Sequence, residues 1–238
     1  MQINGSVALV TGANRGIGLA VAQALVEAGA AKVYAGARKP ETVVDDRLIP
    51  VRLDVTSAED IAAAAALAED VDVVVNNAGA AGIEAQLFTG SLDVAREVME
   101  TNVFGPWEIA RAFAPILAAN GGGALVNVLS STSWWAMAGA PAYSASKAAA
   151  WSLTNALRLG LAKQNTLVVG VHSGFVDTDF SAAIPADKIT AIDLADQIVR
   201  ALAEDRTEVL ADEFTAATRR ALAGGIEAVQ GITPYKVS

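Results

Sequence analysis

The chain has 238 residues, of which 53% are hydrophobic and 18% charged, with a formal net charge of -9. Length alone admits one large domain or two small ones, the hydrophobic content favours one large core, and the charge excludes the basic footprint of a nucleic-acid or anionic-membrane binder. With no cysteine and His172 as the single histidine, disulfides, thiolate sites and His clusters are excluded, and no metal is expected in the chemistry.

Short runs of Val, Leu and Ala alternate with longer Ala-rich periodic segments, the pattern of strands threaded between crossover helices. The first strand is predicted at 7–11. The residues before it lack a basic region followed by a separate apolar stretch, so they read as mature structure. Every long Ala-rich stretch is broken by charges before it reaches the roughly 20 residues of a membrane span, and a cytoplasmic location is expected. After the strand comes Thr11-Gly12-Ala13-Asn14-Arg15-Gly16-Ile17-Gly18, opening a helix predicted at 17–29. There the backbone amides and the helix dipole favour a pyrophosphate, and the glycines permit a tight turn and close approach. The spacing is Gly-x-x-x-Gly-x-Gly.

The second strand, 32–37, ends in Gly36-Ala37-Arg38-Lys39 with no carboxylate to hold a ribose 2′-hydroxyl. Arg38 and Arg15 instead offer two guanidinium groups for a 2′-phosphate, which points to NADP(H). A strand at 49–54, a helix at 57–69 and a strand at 71–76 follow, the last running into Asn76-Asn77-Ala78-Gly79 at the carboxyl edge of the sheet. A helix predicted at 91–119 contains Asn102, a residue type disfavoured in helix interiors unless used. Gly121-Gly122-Gly123 reads as a helix-to-strand loop and not as an interdomain hinge, so one domain is expected over 1–238.

A strand at 124–130 ends on Ser130, thirteen residues before Tyr143. In the helix predicted at 143–163, Tyr143-Ser144-Ala145-Ser146-Lys147 places Tyr143 and Lys147 one turn apart on one face. An ammonium beside a phenol favours the phenolate and makes proton exchange with a substrate oxygen feasible, while Ser130 stands where its hydroxyl can orient the same oxygen. Ser131 and Ser133 compete for that assignment. On the next strand, 167–173, His172 reads as a packed core residue with no role. The segment 177–190 has no periodicity and is the candidate lid. Helices at 191–203 and 213–223 flank a last strand at 208–211. The whole reads as α/β, a single-domain doubly wound Rossmann fold with a parallel sheet of about seven strands and helices on both faces.

Taken together, Thr11-Gly12-x-x-x-Gly16-x-Gly18, Asp54-Val55, Asn76-Asn77-Ala78-Gly79, Asn102, Ser130, Tyr143-x-x-x-Lys147 and Gly174-x-Val176-x-Thr178 resemble the short-chain dehydrogenase/reductase family over nearly the whole length. That resemblance implies that Ser130 positions the substrate oxygen and that Tyr143 is the general acid/base. It makes Lys147 lower the Tyr143 pKa and bind nicotinamide ribose, and Asn102 help hold a water linking Lys147 to solvent. It also implies that Asp54 and Val55 flank the adenine, that Asn77, Ala78 and Gly79 line its ribose, and that Val176 and Thr178 contact the carboxamide. The family usually has proline before the late glycine, whereas here Ser173 precedes Gly174, which alters loop stiffness.

The expected activity is NADP(H)-dependent transfer of hydride to a ketone or aldehyde. The alternatives are an NAD-dependent alcohol dehydrogenase, a non-redox lyase or dehalogenase, and a non-catalytic NADP(H)-binding protein, which would be expected to lose Tyr143, Lys147 or Ser130. Trp134, Trp135, Met137 and Phe180 predict an apolar pocket for a small-molecule carbonyl or alcohol without phosphate or carboxylate. Surplus apolar residues on the long helices, among them Trp107, Phe113, Trp151 and Leu157, predict contact with a partner subunit, and the resemblance implies a homotetramer or homodimer.

Overall fold

The computed structural model describes residues 1–232. In chain order its strands are β1 (Val7–Thr11), β2 (Lys32–Ala37), β3 (Ile49–Arg52), β4 (Val73–Asn76), β5 (Gly123–Val128), β6 (Thr166–His172), β7 (Phe175–Asp177), β8 (Lys188–Thr190) and β9 (Glu208–Leu210). Seven of them form one parallel sheet in the order β3-β2-β1-β4-β5-β6-β9. Val73, Val74 and Val75 are successive residues yet all fully buried, because a sheet covered by helices on both faces leaves neither side of a central strand to water.

The helices are α1 (Gly16–Glu27), α2 (Ala58–Leu67), α3 (Leu92–Met99), α4 (Gly105–Ala119), α5 (Pro141–Leu161), α6 (Ala191–Ala203), α7 (Glu213–Ala221) and α8 (Gly225–Gln230). Val21 and Leu25 of α1 meet Leu194 and Ile198 of α6 on one face of the sheet. On the other face Ile61 of α2 and Ile109, Phe113 and Leu117 of α4 pack on Leu9, Val74 and Leu125. Their starts are specified locally: Ser57 accepts from the Asp60 N–H, Asp212 from the Thr215 N–H, and Thr190 with Asp193 forms a capping box. The strand order reverses between β1 and β4, which opens a crevice at their carboxyl ends.

Four features depart from the expectation. The helix predicted over 91–119 is two helices joined by a π turn at Glu100–Phe104. Pro106 has no N–H, so an unbroken α-helix would leave the Asn102 carbonyl without its donor, and the ladder shifts register there. The aperiodic segment 177–190 contains β8, which pairs with β7 through Val176 and Ile189 and tethers the segment at both ends. The helix α8 lies beyond the last element predicted. Finally, Phe113 is fully buried in the core and has no surface to offer a partner, whereas Phe104 and Trp107 are nearly half exposed. Among the described residues no helix is long and apolar enough to cross a membrane.

Candidate active site

The carboxyl ends of β1, β2, β4 and β5 open into a cleft of about 990 Å³, at the upper end of the roughly 300–1,000 Å³ typical of ligand sites. At its floor the glycine-rich turn is riveted to the turn after β4. The Thr11 hydroxyl accepts from the backbone N–H groups of Asn77 and Ala78, both at 3.0 Å, while Asn77 Nδ2 donates to the carbonyls of Thr11 at 2.9 Å and Gly12 at 3.2 Å. Gly12 has φ +65°, and a Cβ there would lie 3.1 Å from the Ala78 Cα. A Cβ on Gly18 would lie 2.3 Å from the Gly12 carbonyl oxygen, so helix and turn approach as only glycine permits. Helix α1 has no side-chain cap and no acidic residue in its first turn, which leaves its positive end facing the cleft unneutralised.

One end of the cleft is cationic. Arg15, Arg38, Lys39 and Arg52 all line it, beside Asn14 and Thr42, which hydrogen-bond each other at 3.1 Å. Arg52 was not foreseen from the sequence. It sits at the end of β3, donates to the Arg38 carbonyl at 3.5 Å and pairs with Asp60 at 3.3 Å. Its one legible signal was a cation in the last position of a strand adjacent to the one that ends before Arg38. Arg15 reaches across the cleft to Asp179 at 3.2 Å, both side chains being exposed. Asp54 also lines this end. Burial opposes its ionisation, but the Thr56 N–H and hydroxyl, then Arg38 and Arg52, outweigh that and hold the carboxyl below its usual range.

At the centre, Ser130 follows β5, and α5 presents Tyr143 and Lys147. Pro141 starts that helix at a position where its missing N–H costs nothing. The Lys147 ammonium donates to the Val128 carbonyl at 2.8 Å and stands 5.6 Å from the centre of the Tyr143 ring. Burial lowers the Lys147 pKa to about 8. Tyr143 is pushed up to about 12 by loss of hydration, while its hydrogen bond with Ser130 pulls the other way. Ser130 thus makes the lowering contact, with the Lys147 ammonium standing beside the ring.

Asn102 stands behind this centre and is not part of the cleft wall. Its amide clamps Ala80, accepting from the Ala80 N–H at 2.8 Å and donating to the Ala80 carbonyl at 2.9 Å, and it also donates to Ser146 at 2.9 Å. A second cavity of about 10 Å³ lies among Asn76, Asn102, Asn127 and Lys147, at the threshold for holding one water. The buried Asn76 Oδ1 has no hydrogen-bond partner among the described residues.

The other end of the cleft is apolar, lined by Ile83, Trp135, Met137, Phe180, Ile184 and Phe214. The Phe180 ring centre is 5.9 Å from that of Tyr143, and Trp135 meets Phe214 edge to face at 5.7 Å. Phe214, on α7, was missed because nothing local in the sequence marks which face of a late helix returns to the site. Trp134, expected with Trp135 in the pocket, does not line it. Successive residues of this turn point to opposite sides, and Trp134 faces inward, stacked on His172 at 4.0 Å. Gly16, Ile17, Val55, Ala78, Gly79, Gly174, Val176 and Thr178 all border the cleft, whereas Gly18 packs beneath it.

The sequence profile of the short chain dehydrogenase family matches residues 6–189. A short chain dehydrogenase from Burkholderia cenocepacia J2315, solved in complex with NADP, superposes with a TM-score of 0.91 at 40% identity, covering 96% of this chain and 97% of that one. A short chain dehydrogenase/reductase from Burkholderia phymatum in complex with NAD has a TM-score of 0.85 at 26% identity, covering 100% and 99%. By sequence, the cis-4-hydroxycyclohexanecarboxylate dehydrogenase of Sinomonas cyclohexanicum is 36% identical over 239 residues, 94% of this chain and 95% of the relative. With the glycine turn, the Ser130–Tyr143–Lys147 cluster and the doubly wound parallel sheet in one chain, the protein belongs to the short chain dehydrogenase family and is an oxidoreductase.

Proposed function

We propose that the protein is an NADP(H)-dependent reductase of uncharged ketones or aldehydes. The observation that carries the cofactor preference is the set of four cations, Arg15, Arg38, Lys39 and Arg52, lining one end of the cleft. A dianionic 2′-phosphate matches that end, and a 2′-hydroxyl does not need it. The glycine turn and the free positive end of α1 fit a pyrophosphate, with Asn14, Ile17, Asp54, Val55 and Ala78 beside the adenosine and Gly174, Val176 and Thr178 beside the carboxamide. Bound NADPH supplies the hydride.

The chain supplies orientation and a proton. Ser130 and Tyr143 both address the substrate oxygen. With its pKa near 12, Tyr143 is a phenol at neutral pH and transfers its hydroxyl proton to that oxygen as the carbon is reduced. The phenolate left behind is stabilised by the Ser130 hydroxyl and by the Lys147 ammonium, and Lys147 opens on the small cavity beside Asn102 for proton resupply. The protonation states present at neutral pH thus suit reduction.

The relative that acts on a hydroxycyclohexanecarboxylate handles a carboxylate, but among the described residues the apolar end of this cleft offers a carboxylate only Lys147 and an Arg15 already paired with Asp179, and Asp177 also borders it. We therefore assign uncharged, apolar substrates. Subunits associate as a homodimer or homotetramer through the exposed Phe104 and Trp107 and the adjoining face of α5, to be checked by light scattering. The reading is tested by NADPH oxidation against diverse carbonyl compounds with Tyr143→Phe as control. Failure of every carbonyl compound, or activity that survives the substitution, overturns it.

A further inference from the structure

His172, the last residue of β6, is almost wholly buried and has no part in the proposed chemistry. It nevertheless touches the reaction centre. Its Nδ1 lies 3.1 Å from the Ser130 backbone carbonyl. A carbonyl only accepts, so Nδ1 carries the proton and donates.

The environment keeps the ring neutral and still. Burial, followed by the charges of Arg219, Lys147 and Arg158, outweighs the Ser130 hydrogen bond and lowers the pKa to about 4. On one face the ring stacks on Trp134 at 4.0 Å with 22° between planes. Trp134 is itself held, with Trp151 at its edge at 6.0 Å and the Arg219 guanidinium 5.4 Å from its ring. Glu208 completes the surroundings, its carboxylate 3.9 Å from His172 Nε2 and 3.5 Å from Arg219 Nε. The chain leaving Ser130 therefore turns back so that its own fourth following residue clamps the histidine that grips the Ser130 carbonyl.

Backbone contacts hold the Ser130 peptide as well, and His172 adds a side chain to them. On either side of Ser130, Leu129 and Ser131 donate to the carbonyls of Val171 and Ser173 at 2.7 and 2.8 Å, but β4 stops opposite Asn127 and gives no strand support beyond it. The Ser130 carbonyl also accepts from the Ser133 N–H at 3.0 Å, while the Ser130 hydroxyl accepts from the Thr132 N–H at 3.1 Å and has a long 3.4 Å contact to the Ser173 carbonyl, so His172 is the side-chain donor that shares this carbonyl with the backbone of the turn.

We propose that His172, held against Trp134, is a positioning residue that fixes the Ser130 peptide from behind and so sets the direction of its hydroxyl toward the substrate oxygen and Tyr143. The proposal rests on the reductase reading. It makes Trp134 a buttress of the catalytic serine and not a wall of the substrate pocket.

The test compares His172→Asn, whose amide nitrogen falls where Nδ1 stood, with His172→Gln, whose amide reaches toward the Nε2 side. In full-length enzyme with NADPH and an accepted carbonyl compound, His172→Gln should lower kcat by about 10-fold to 100-fold, in the range of a catalytic group misplaced by a fraction of an ångström. NADPH binding by fluorescence should stay within about threefold. His172→Asn should recover most of the rate. In a Ser130→Ala background, His172→Gln should cost nothing further, since its effect runs through that hydroxyl.

Equal losses in the Asn and Gln variants, or additive losses with Ser130→Ala, would overturn the proposal. Should His172→Gln fail to bind NADPH, Trp134→Leu, which removes the stacking partner, must show the same dependence on Ser130 or the proposal falls. A wild-type enzyme inactive on all carbonyl compounds would instead sink the reductase reading itself.

Discussion

The two ends of the cleft are built on opposite physical plans. The nucleotide end is made mostly of backbone: turns locked by Thr11 and Asn77 and glycines that let chains touch, with four cations in the turns and strand ends around them. The substrate end is made of side chains from distant segments, with Trp135 from the loop after β5, Phe180 from the tethered segment after β7 and Phe214 from α7. A backbone site is fixed by the fold itself and accepts little change. A side-chain site is redrawn by one substitution, so recognition of the cofactor and choice of the substrate are separable here.

The comparison breaks first at the centre, where both ends meet. Tyr143→Phe should reduce kcat by about 10³-fold or more, at the upper part of the range for a lost general acid, with NADPH affinity nearly unchanged. A comparable loss of NADPH binding, seen by fluorescence titration, would mean that the ends are not independent. Next, replacing both Arg15 and Arg38 by Ala should raise the KM for NADPH by roughly 100-fold, the loss of two charge-assisted contacts, and leave the KM for NADH within a few-fold. Arg52→Ala should add to that effect through the Arg38 carbonyl. Equal changes with both cofactors would remove the cationic end as the basis of preference.

At the substrate end, the methyl ester of 4-oxocyclohexanecarboxylic acid should exceed the acid in kcat/KM by about 10-fold or more, since the acid would bury a charge with little compensation. A preference for the acid would overturn the assignment of uncharged substrates.

The smallest expected effect concerns stability. The Lys147 pKa in the folded chain, about 8, lies below the ordinary 10.5. The unfolded chain therefore binds more protons between these values, and stability rises with pH across that window. Below pH 8 the fold carries the full penalty of a buried cation. Lys147→Met should accordingly raise Tm by a few degrees at pH 7, with the advantage shrinking above pH 8 and vanishing near 10.5, while activity is lost. A Tm difference that grows with pH would contradict the burial of that charge.

Much of this division was legible in the sequence. Valine-rich runs buried on both faces marked the central strands β1, β4, β5 and β6, and the glycine spacing with Arg15 and Arg38 marked the nucleotide end because backbone sites leave local signatures. The chemical centre was legible through the four-residue spacing of Tyr143 and Lys147, which a helix converts directly into proximity. What escaped was non-periodic or non-local. A three-residue strand such as β8 has no period to detect, and the π turn follows from Pro106 acting on a carbonyl four residues earlier. Trp134 and Trp135 are indistinguishable neighbours in sequence, and only the folded turn sends one to the cleft and the other to His172. That same turn exchanged the roles of a tryptophan expected in the pocket and a histidine expected merely to fill the core.

The sheet order has a consequence for how the protein reaches its active form. Adjacent parallel strands are never joined by a tight turn, so each pairing must await a crossover, and the cleft is bordered by residues from Gly12 to Phe214. Contacts so distant along the chain slow the search for the native state. No partial assembly of β1, β2 and α1 holds Ser130, Tyr143 or Phe214. Enzymatic activity therefore returns only with the last strand pairings, later than helix content, and serves as the most stringent probe of complete refolding.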